Sequence, residues 1–215
     1  MNAMSAGIFL VRHGEVHNPD HVVYADLAGF PLSATGRRQA LEVADHLPDH
    51  ATVVTSPLDR AVETAQIIAS GTGSDVIIDD ALTEWALGSR WAGHVWEQLD
   101  ESFPGELTAY LEHPDDLPFS PEPLAELTRR VAVAVQRRSD ISDGPLVFVS
   151  HQDPIQAARL SLTARPLAGL NRNKPMHAEA VELIPRSTGP WIERGSWAPN
   201  QDPVFPPPPS SPSSR

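Results

Sequence analysis

The sequence predicts an α/β fold, a three-layer sandwich whose mostly parallel central sheet carries helices on both faces. Short apolar runs that are typical of buried strands alternate along the chain with segments of helical spacing. A run of alternating apolar and polar residues near the end adds an antiparallel edge strand. The chain has 215 residues, of which 40% are hydrophobic, and this suffices for one buried core. We therefore expect one globular domain over residues 1–195 and a tail over residues 196–215.

The first half of the chain begins with two strand-then-helix pairs. Residues 7–11 form a short apolar run that predicts a strand buried on both faces, and residues 33–47 then carry apolar side chains at helical spacing. Residues 51–55 repeat the strand pattern. Ser56 then provides an N-cap, with Pro57 in the first turn, for a second helix.

The second half of the chain returns to the same alternation after an interruption. Residues 76–78 predict a third strand, and the weak signals from 79 to 121 predict an inserted, irregular segment with short helical pieces. The remaining elements are helices over 124–138 and 154–162, a strand over 146–149 and the edge strand over 180–184.

The composition excludes several kinds of chemistry and of partner. The chain has no cysteine, and therefore no disulfides, no thiolate nucleophile and no cysteine-based metal site. Its formal net charge of -12 argues against a nucleic-acid partner, because such binding depends on basic side chains. Its apolar runs are too short to span a membrane, and its first residues lack the pattern of a secretory signal. We expect a cytoplasmic protein without a membrane or nucleic-acid partner, and a homodimer stays open.

The last residues are dominated by proline and serine, from residue 200 onward. Such a composition holds few side chains that can join a core and favours a disordered or polyproline tail. The alternative is a ligand for a proline-binding module, since residues 206–209 are four consecutive prolines.

Basic side chains follow three of the predicted strands at the point where each strand ends. Arg12 and His13 follow the first strand, Arg60 lies in the first turns of the helix after the second, and His151 follows the run 146–150. In open parallel sheets, ligands bind beyond the carboxyl ends of the strands. If these strands are neighbours, two arginines and two histidines converge, and arginine side chains beside helix N-termini suit a phosphate dianion.

This set of side chains predicts phosphoryl transfer. A neutral imidazole has a free lone pair on one ring nitrogen, so His13 can attack phosphorus and form a phosphohistidine. His151, if it is cationic, would stabilise charge on the equatorial oxygens. Gly14 fits a tight turn in which the backbone approaches the bound phosphate.

Four motifs carry a resemblance to a known family. They are LVRHGE at residues 10–15, PLSATGRRQA at 31–40, TSPLDRAVETA at 55–65 and FVSH at 148–151. In this combination and order the chain resembles the histidine phosphatase superfamily, also called the phosphoglycerate-mutase-like family. The resemblance implies that residues 1–195 form a histidine-phosphatase-like catalytic domain.

The resemblance also implies roles for individual residues. It makes His13 the phosphorylated nucleophile, and it assigns Arg12, Arg60 and His151 to the phosphate pocket. Asn18 lies near the place where many members have an asparagine that touches the phosphate.

Glu84 lies where the family has its proton donor. A leaving alkoxide needs a proton, and burial beside neighbouring tryptophans would raise the pKa of this carboxyl towards neutrality. Three other carboxylates are rivals for the role: Glu15, Asp80 and Asp153.

Two departures from the family pattern bear on the substrate. Gln152 occupies a position that is often glycine in the family, so its longer side chain narrows the pocket. Some relatives have an arginine in the loop over residues 24–30, where this chain has Asp26 and no cation. That difference argues against recognition of a second acidic group such as a phosphoglycerate carries.

We therefore expect a phosphomonoester hydrolase that acts on a small phosphorylated metabolite and needs no metal or organic cofactor. One alternative is a mutase, which returns the phosphoryl group to a phosphoglycerate instead of giving it to water. A second alternative is a non-catalytic protein that binds a phosphorylated ligand on the same fold.

Three histidines near the N-terminus have a spacing that could suggest metal binding. His13, His17 and His21 are spaced for one face of a helix, but Gly14 and Pro19 make a continuous helix improbable. We therefore expect no metal site there.

Two other groups also receive structural interpretations. Trp85, Trp91 and Trp96 favour packing of the inserted segment over a lid on the substrate. Two pairs of arginines are expected on solvated helix faces or near helix ends: Arg129 and Arg130, and Arg137 and Arg138.

Overall fold

The computed structural model describes residues 7–199, which form a six-stranded sheet with helices on both faces. The strands are β1 (Ile8–Arg12), β2 (Thr52–Thr55), β3 (Val76–Ile78), β4 (Leu146–Ser150), β5 (Ala180–Ile184) and β6 (Ile192–Trp197). The α-helices are α1 (Ala34–Ala44), α2 (Asp59–Thr72), α3 (Ala86–Trp91), α4 (Leu99–Ser102), α5 (Glu106–Glu112), α6 (Leu124–Ile141) and α7 (Gln152–Leu162). The predicted α/β sandwich is confirmed.

The strand order is β3-β2-β4-β1-β5-β6, and the first four strands in this order run parallel. Strand β5 is antiparallel to β1, and β6 is antiparallel to β5. Val149 of β4 pairs with Val11 of β1 on one side and with Thr55 of β2 on the other. The carboxyl ends of these three strands therefore lie level and side by side, as the convergence of basic residues requires.

Two apolar clusters cover the two faces of the central strands. On one face Leu10 and Phe148 belong to a cluster with buried side chains of α6 and α7. On the other face Val11 and Val149 belong to a cluster with buried side chains of α1 and α2. All five residues of β4 are buried, because this strand has neighbours on both edges and helices on both faces.

The inserted segment between β3 and α6 closes over the carboxyl ends of the strands. It contains α3, α4 and α5, and a loop that precedes α1 pairs with it. Val22 forms a β-bridge with Val95, and the backbone N–H of Val23 donates to the carbonyl of His94 at 2.8 Å. These backbone contacts set one wall of the candidate site.

Strand β6 was not anticipated, and residues 180–184 are consequently not the last strand of the sheet. They form β5, which pairs with β1 on one side and β6 on the other. The sequence of β6 contains Glu193, Arg194 and Gly195 and has no buried position, so it lacks an apolar pattern. An exposed edge strand of this kind carries little signal in the sequence.

Helix α2 begins at Asp59, and Leu58 occupies its N-cap position without a side-chain bond. The prediction of Ser56 as the N-cap is therefore wrong. The hydroxyl of Ser56 lies 2.7 Å from Nε2 of His151 instead. The serine is part of the candidate site and not of the helix start.

Within the described range, no helix is long and apolar enough to cross a membrane. Strand β6 extends through Trp197 and so includes the first two residues of the predicted tail. Residues 200–215, which include the four consecutive prolines, lie outside the described residues, and there the tail stays a prediction.

Candidate active site

His13 lies directly after β1, and its ring is buried beneath the surface of a cavity. Its Nδ1 lies 2.7 Å from the carbonyl oxygen of Gly14. A carbonyl can only accept, so Nδ1 carries the ring proton and Nε2 carries the lone pair. The Nε of Arg60 donates to that Nε2 at 3.3 Å. Burial, followed by the charge of Arg60, holds the pKa of His13 well below its usual value, so the ring is neutral.

Arg60 lies in the first turn of α2 and is almost wholly buried. Its guanidinium donates to the carbonyl of Ala25 at 2.6 Å and lies 4.7 Å from the centre of the Tyr24 ring. The loop that contains these two residues thus fixes the arginine against His13. Burial is the main cause that lowers the pKa of Arg60, yet an arginine remains charged at any physiological pH.

Arg12 ends β1 and lines the same cavity. It donates from one terminal nitrogen to the carbonyl of Pro175 at 3.1 Å and from the other to Nε2 of His177 at 2.9 Å. Its Nε is buried and has no partner among the described residues. Burial and the charge of Arg12 lower the pKa of His177 to about 2, so this ring is neutral and accepts the bond.

His151 lies directly after β4, with its ring centre 5.2 Å from that of His13. The ring is completely buried, and its Nδ1 has no hydrogen-bond partner among residues 7–199. Burial, then the charges of Arg60 and Arg12, hold the pKa of His151 well below its usual value. The structure therefore gives a neutral His151 in the free protein, and the cationic form considered from the sequence is disfavoured by these neighbours.

Glu84 lies in the loop before α3, where its Oε1 accepts from the backbone N–H of Trp85 at 2.8 Å. Its Oε2 lies 3.9 Å from Nδ1 of His151. Burial in the first place, and the charge of Asp153 in the second, raise the pKa of Glu84 to about 7. A carboxyl in this range exchanges a proton readily at neutral pH.

Arg130 of α6 holds the loop that carries Glu84. Its guanidinium donates to the carbonyls of Ala81, Thr83 and Glu84 at 2.8, 2.7 and 3.0 Å. It also pairs with Glu122 at 2.7 Å. The prediction that Arg130 lies on a solvated helix face is therefore wrong, because its side chain caps a loop whose carbonyls would otherwise be unsatisfied. Arg129, by contrast, is exposed as predicted.

Asp153, Tyr110 and Lys174 form a hydrogen-bonded cluster on the side of the cavity next to Glu84. The hydroxyl of Tyr110 donates to Asp153 at 2.9 Å, and the Lys174 ammonium contacts both partners. Burial, followed by the charge of Asp153, raises the pKa of Tyr110 well above its usual value, so its hydroxyl stays protonated. The carboxylate of Asp153 is thus held in place as a fixed negative charge.

Gly14 is needed for close packing beside the candidate site. Its backbone N–H donates to the hydroxyl of Thr64 at 3.1 Å, and an approach of its backbone to a phosphate stays a prediction. A side chain at Gly14 would overlap the backbone of Gly36, at the start of α1, and a side chain at Gly36 would overlap the backbone of Glu15. The glycine is therefore required for close packing of two backbone segments.

Asn18 lies on the cavity wall, as the resemblance implies, but both ends of its amide hold a loop together. Its Nδ2 donates to the carbonyl of Val22 at 2.9 Å, and its Oδ1 accepts from the N–H of the same residue at 3.2 Å. A contact between Asn18 and a phosphate stays a prediction.

The cavity at the carboxyl ends of the strands has a volume of about 640 Å³. Arg12, His13 and Glu84 line it, and Arg60 and His151 lie immediately behind it through their contacts with His13 and Glu84. The sequence-predicted residues are therefore brought together, with Gly14 contributing through the backbone and Asn18 through the wall.

The rival carboxylates differ in their surroundings. Asp80 is exposed and lies outside the cavity wall. Glu15 lines the wall, where its Oε1 accepts from the hydroxyl of Ser33 at 2.6 Å. Glu84 lies on the cavity wall beside His151 and has a raised pKa, and these observations favour it as the acid.

The residues where this chain departs from the family have distinct positions. Gln152 lines the cavity, and its amide donates to the carbonyl of Pro175 at 3.2 Å. Asp26 is exposed and is not part of the cavity wall. Within the described range, no group of three or more His, Asp or Glu side chains is arranged to hold a metal ion.

His177, Arg130 and Tyr110 are site residues that the sequence reasoning missed. His177 precedes β5, and since β5 is antiparallel to β1, the start of β5 lies beside the end of β1. Residues just before a strand that is antiparallel to β1 therefore lie near the end of β1. The predicted antiparallel strand over 180–184 offered this signal in the sequence. Arg130 and Tyr110 lie on helices far from the motifs, and only their tertiary contacts reveal their roles.

Comparisons with known proteins find a matching family, similar sequences and similar structures. A family model described as "Histidine phosphatase superfamily (branch 1)" matches residues 8–197. An uncharacterized protein of Mycobacterium tuberculosis is 38% identical over 177 residues, which cover 74% of this chain and 80% of that protein. A 2,3-bisphosphoglycerate-dependent phosphoglycerate mutase of Thermoplasma acidophilum is 34% identical over 152 residues, covering 69% and 72%. The structure of a mycobacterial glucosyl-3-phosphoglycerate phosphatase matches with a TM-score of 0.76 and 26% identity, over 88% of this chain and 97% of that one.

Proposed function

The chain belongs to branch 1 of the histidine phosphatase superfamily, and from this premise we propose that it hydrolyses a small phosphomonoester through a phosphohistidine on His13. The observation that carries the proposal is the proton position on that ring. The carbonyl of Gly14 holds the proton on Nδ1, and Arg60 approaches Nε2. The lone pair of this neutral, buried imidazole accepts only a long bond of 3.3 Å from Arg60. A phosphate that draws Arg60 to its own oxygens would release the lone pair for attack on phosphorus.

In the first step, Nε2 of His13 forms a bond to phosphorus while the ester P–O bond breaks. Glu84 gives its proton to the leaving oxygen, so the alcohol departs neutral. Arg12 and Arg60 neutralise the charge on the equatorial oxygens, and His151 donates to one of them from Nδ1 while its Nε2 accepts from the Ser56 hydroxyl.

In the second step, the carboxylate of Glu84 takes a proton from water, and the resulting hydroxide attacks phosphorus. The N–P bond breaks, inorganic phosphate leaves, and His13 returns to its neutral form. Each residue ends as it began, so no step requires a metal ion or an organic cofactor.

A mutase is the second candidate, and the mutase of T. acidophilum among the relatives is what favours it. The mycobacterial phosphatase of known structure favours hydrolysis. A phosphoglycerate mutase also has to hold the carboxylate of its substrate. The loop over 24–30 offers no cation for this purpose, which supports hydrolysis.

The test is phosphate release from a panel of phosphomonoesters by the purified protein and by two variants. His13→Ala should reduce release by on the order of 10³-fold or more, because it removes the nucleophile. His17→Ala is the control, since His17 is exposed and lies outside the cavity wall. Equal rates for His13→Ala and the parent protein would refute the mechanism. Conversion of 3-phosphoglycerate to 2-phosphoglycerate without phosphate release would establish the mutase.

A further inference from the structure

We propose that the preferred phosphomonoester has an uncharged, mainly apolar leaving group, either aromatic or branched aliphatic, which binds against Val22, Trp96 and Met176. This inference rests on the proposed phosphatase activity and names the class of substrate for the same cavity. It also gives Trp96 a function beyond the packing that the sequence suggests.

The end of the cavity that holds Arg12, His13 and Glu84 is called the phosphate end, and the wall beyond it is mostly apolar. It is formed by Val22, Val23, Leu87, Trp91, Trp96 and Met176. Trp85 and Trp91 are buried, which confirms their predicted packing role, but Trp96 is 39% exposed and Met176 is 47% exposed. Large apolar side chains that remain uncovered inside a cleft are typical of a ligand-binding wall.

The tryptophan is held rigidly enough to act as such a wall. Its backbone N–H donates to the carbonyl of His21 at 3.0 Å, and its ring packs edge-on against Trp91 at 6.5 Å between centres. Trp91 therefore supports the indole on one side. An apolar leaving group would cover its exposed part.

Cations for a charged leaving group are scarce in the described part of this wall. Among its lining residues Arg12 is the only lysine or arginine, and it belongs to the phosphate end. Lys174, which lies behind the wall, contacts Asp153 and Tyr110. His177 is neutral, since its pKa is lowered to about 2 by burial and by Arg12.

The acids of the wall oppose a carboxylate in the leaving group. Glu15, Glu84 and Asp153 all line the cavity, so a substrate carboxylate would lose its water without gaining a cation. An ammonium group finds little free charge either. Asp153 is already paired with Lys174, one carboxylate oxygen of Glu15 accepts from the hydroxyl of Ser33, and Glu84 is about half protonated near pH 7. A neutral leaving group avoids both penalties.

The experiment compares kcat/KM for benzyl phosphate, glycerol 3-phosphate, 3-phosphoglycerate, phosphoserine and phosphoethanolamine. All five release an alkoxide oxygen, so differences report on the wall more than on leaving-group chemistry. We expect benzyl phosphate to exceed each of the others by about tenfold or more, the scale at which apolar pockets discriminate. A higher kcat/KM for phosphoethanolamine, or for either of the two phosphate esters that carry a carboxylate, would overturn the proposal.

Trp96 variants test the wall itself. Trp96→Ala should raise KM for benzyl phosphate by about tenfold and change that for glycerol 3-phosphate much less. Trp96→Phe, which keeps an aromatic ring, should retain most of the preference. An equal effect of Trp96→Ala on both substrates would contradict the assignment. Failure of the proposed function looks different: either no ester in the panel releases phosphate, or release persists in His13→Ala.

Discussion

The Oε2 of Glu84 lies 3.9 Å from Nδ1 of His151, across the junction between the inserted segment and the end of β4. The imidazole is neutral and its Nδ1 is unpartnered within the described range, while the carboxyl has a pKa raised to about 7. A phosphate oxygen between them would meet a hydrogen-bond donor on one side and a proton source on the other. The pair thus joins the two halves of the proposed reaction, transfer of the phosphoryl group and departure of the alcohol.

Replacing the proposed acid should affect poor leaving groups most. Glu84→Gln keeps the size of the side chain but removes its proton, so we expect kcat/KM for alkyl phosphates to fall by about 10²- to 10⁴-fold. An ester of a nitrophenol needs little protonation, so its kcat/KM should fall much less. The comparison uses kcat/KM because this constant reports the step in which the alcohol leaves, whereas kcat also includes the later attack of water that Glu84 assists. Asp80→Asn, at an exposed rival carboxylate, serves as the control. Comparable losses on both esters would argue that Glu84 has another role.

The pH profile of kcat/KM should decline above neutrality. The pKa of Glu84 is raised to about 7, so its proton is present below that pH and is lost as the pH rises through it. His13 stays neutral across this range because its pKa is lowered. The acidic limb of the pH profile should therefore reflect the second ionisation of the substrate's phosphate group, which lies near pH 6. A profile that keeps rising from pH 7 to 9 would contradict Glu84 as the acid.

The same profile can identify what raises the pKa of Glu84. Asp153 is the second cause after burial, so Asp153→Asn should lower this pKa and move the alkaline limb to lower pH. Asp80→Asn should leave the limb in place. If Asp153→Asn lowers the rate equally at every pH, Asp153 acts on the structure of the site and not on the proton affinity of Glu84.

The part of the site that follows strand order could be derived from the sequence. Arg12, His13 and His151 come directly after buried apolar runs, and the register of β1 with β4 brings them side by side. The apolar runs of the sequence therefore predict both the strands of the sheet and the side chains at their carboxyl ends, because each strand ends where its apolar run ends. Strand β6 could not be derived, since exposed edge strands have no apolar pattern.

The part of the site that depends on side chains from distant helices could not be derived. Arg130 looks like a surface arginine in the pattern of α6, and only the fold shows that the carbonyls around Glu84 lie within its reach. The close approach of Gly14 to Gly36 likewise joins two segments that the sequence separates. Such contacts are set by how elements pack, which local patterns do not encode.

That close approach predicts a stability effect. In Gly36→Ala the new methyl group would overlap the backbone of Glu15, which cannot move without displacing the turn that carries His13. We expect the free energy of unfolding to fall by about 1–3 kcal/mol or more, the usual cost of overpacking. Gly144→Ala is the control, because a methyl group there meets no atom within 4 Å. Urea denaturation measures both. An unchanged midpoint for Gly36→Ala would show that the two segments separate easily.

Arg130 should position the acid without contacting the substrate. Arg130→Met keeps an unbranched apolar stem but removes the donors to the carbonyls of Thr83 and Glu84, so the loop should lose its fixed geometry. We expect kcat for alkyl phosphates to fall by about tenfold or more, since a small misplacement of a reacting group is costly. Inhibition by inorganic phosphate should change little, because Arg12 and Arg60 are untouched. Arg129→Met, at the exposed neighbour, controls for loss of charge on α6. A variant whose phosphate inhibition weakens as much as its kcat falls would indicate general unfolding of the site in place of a positioning role.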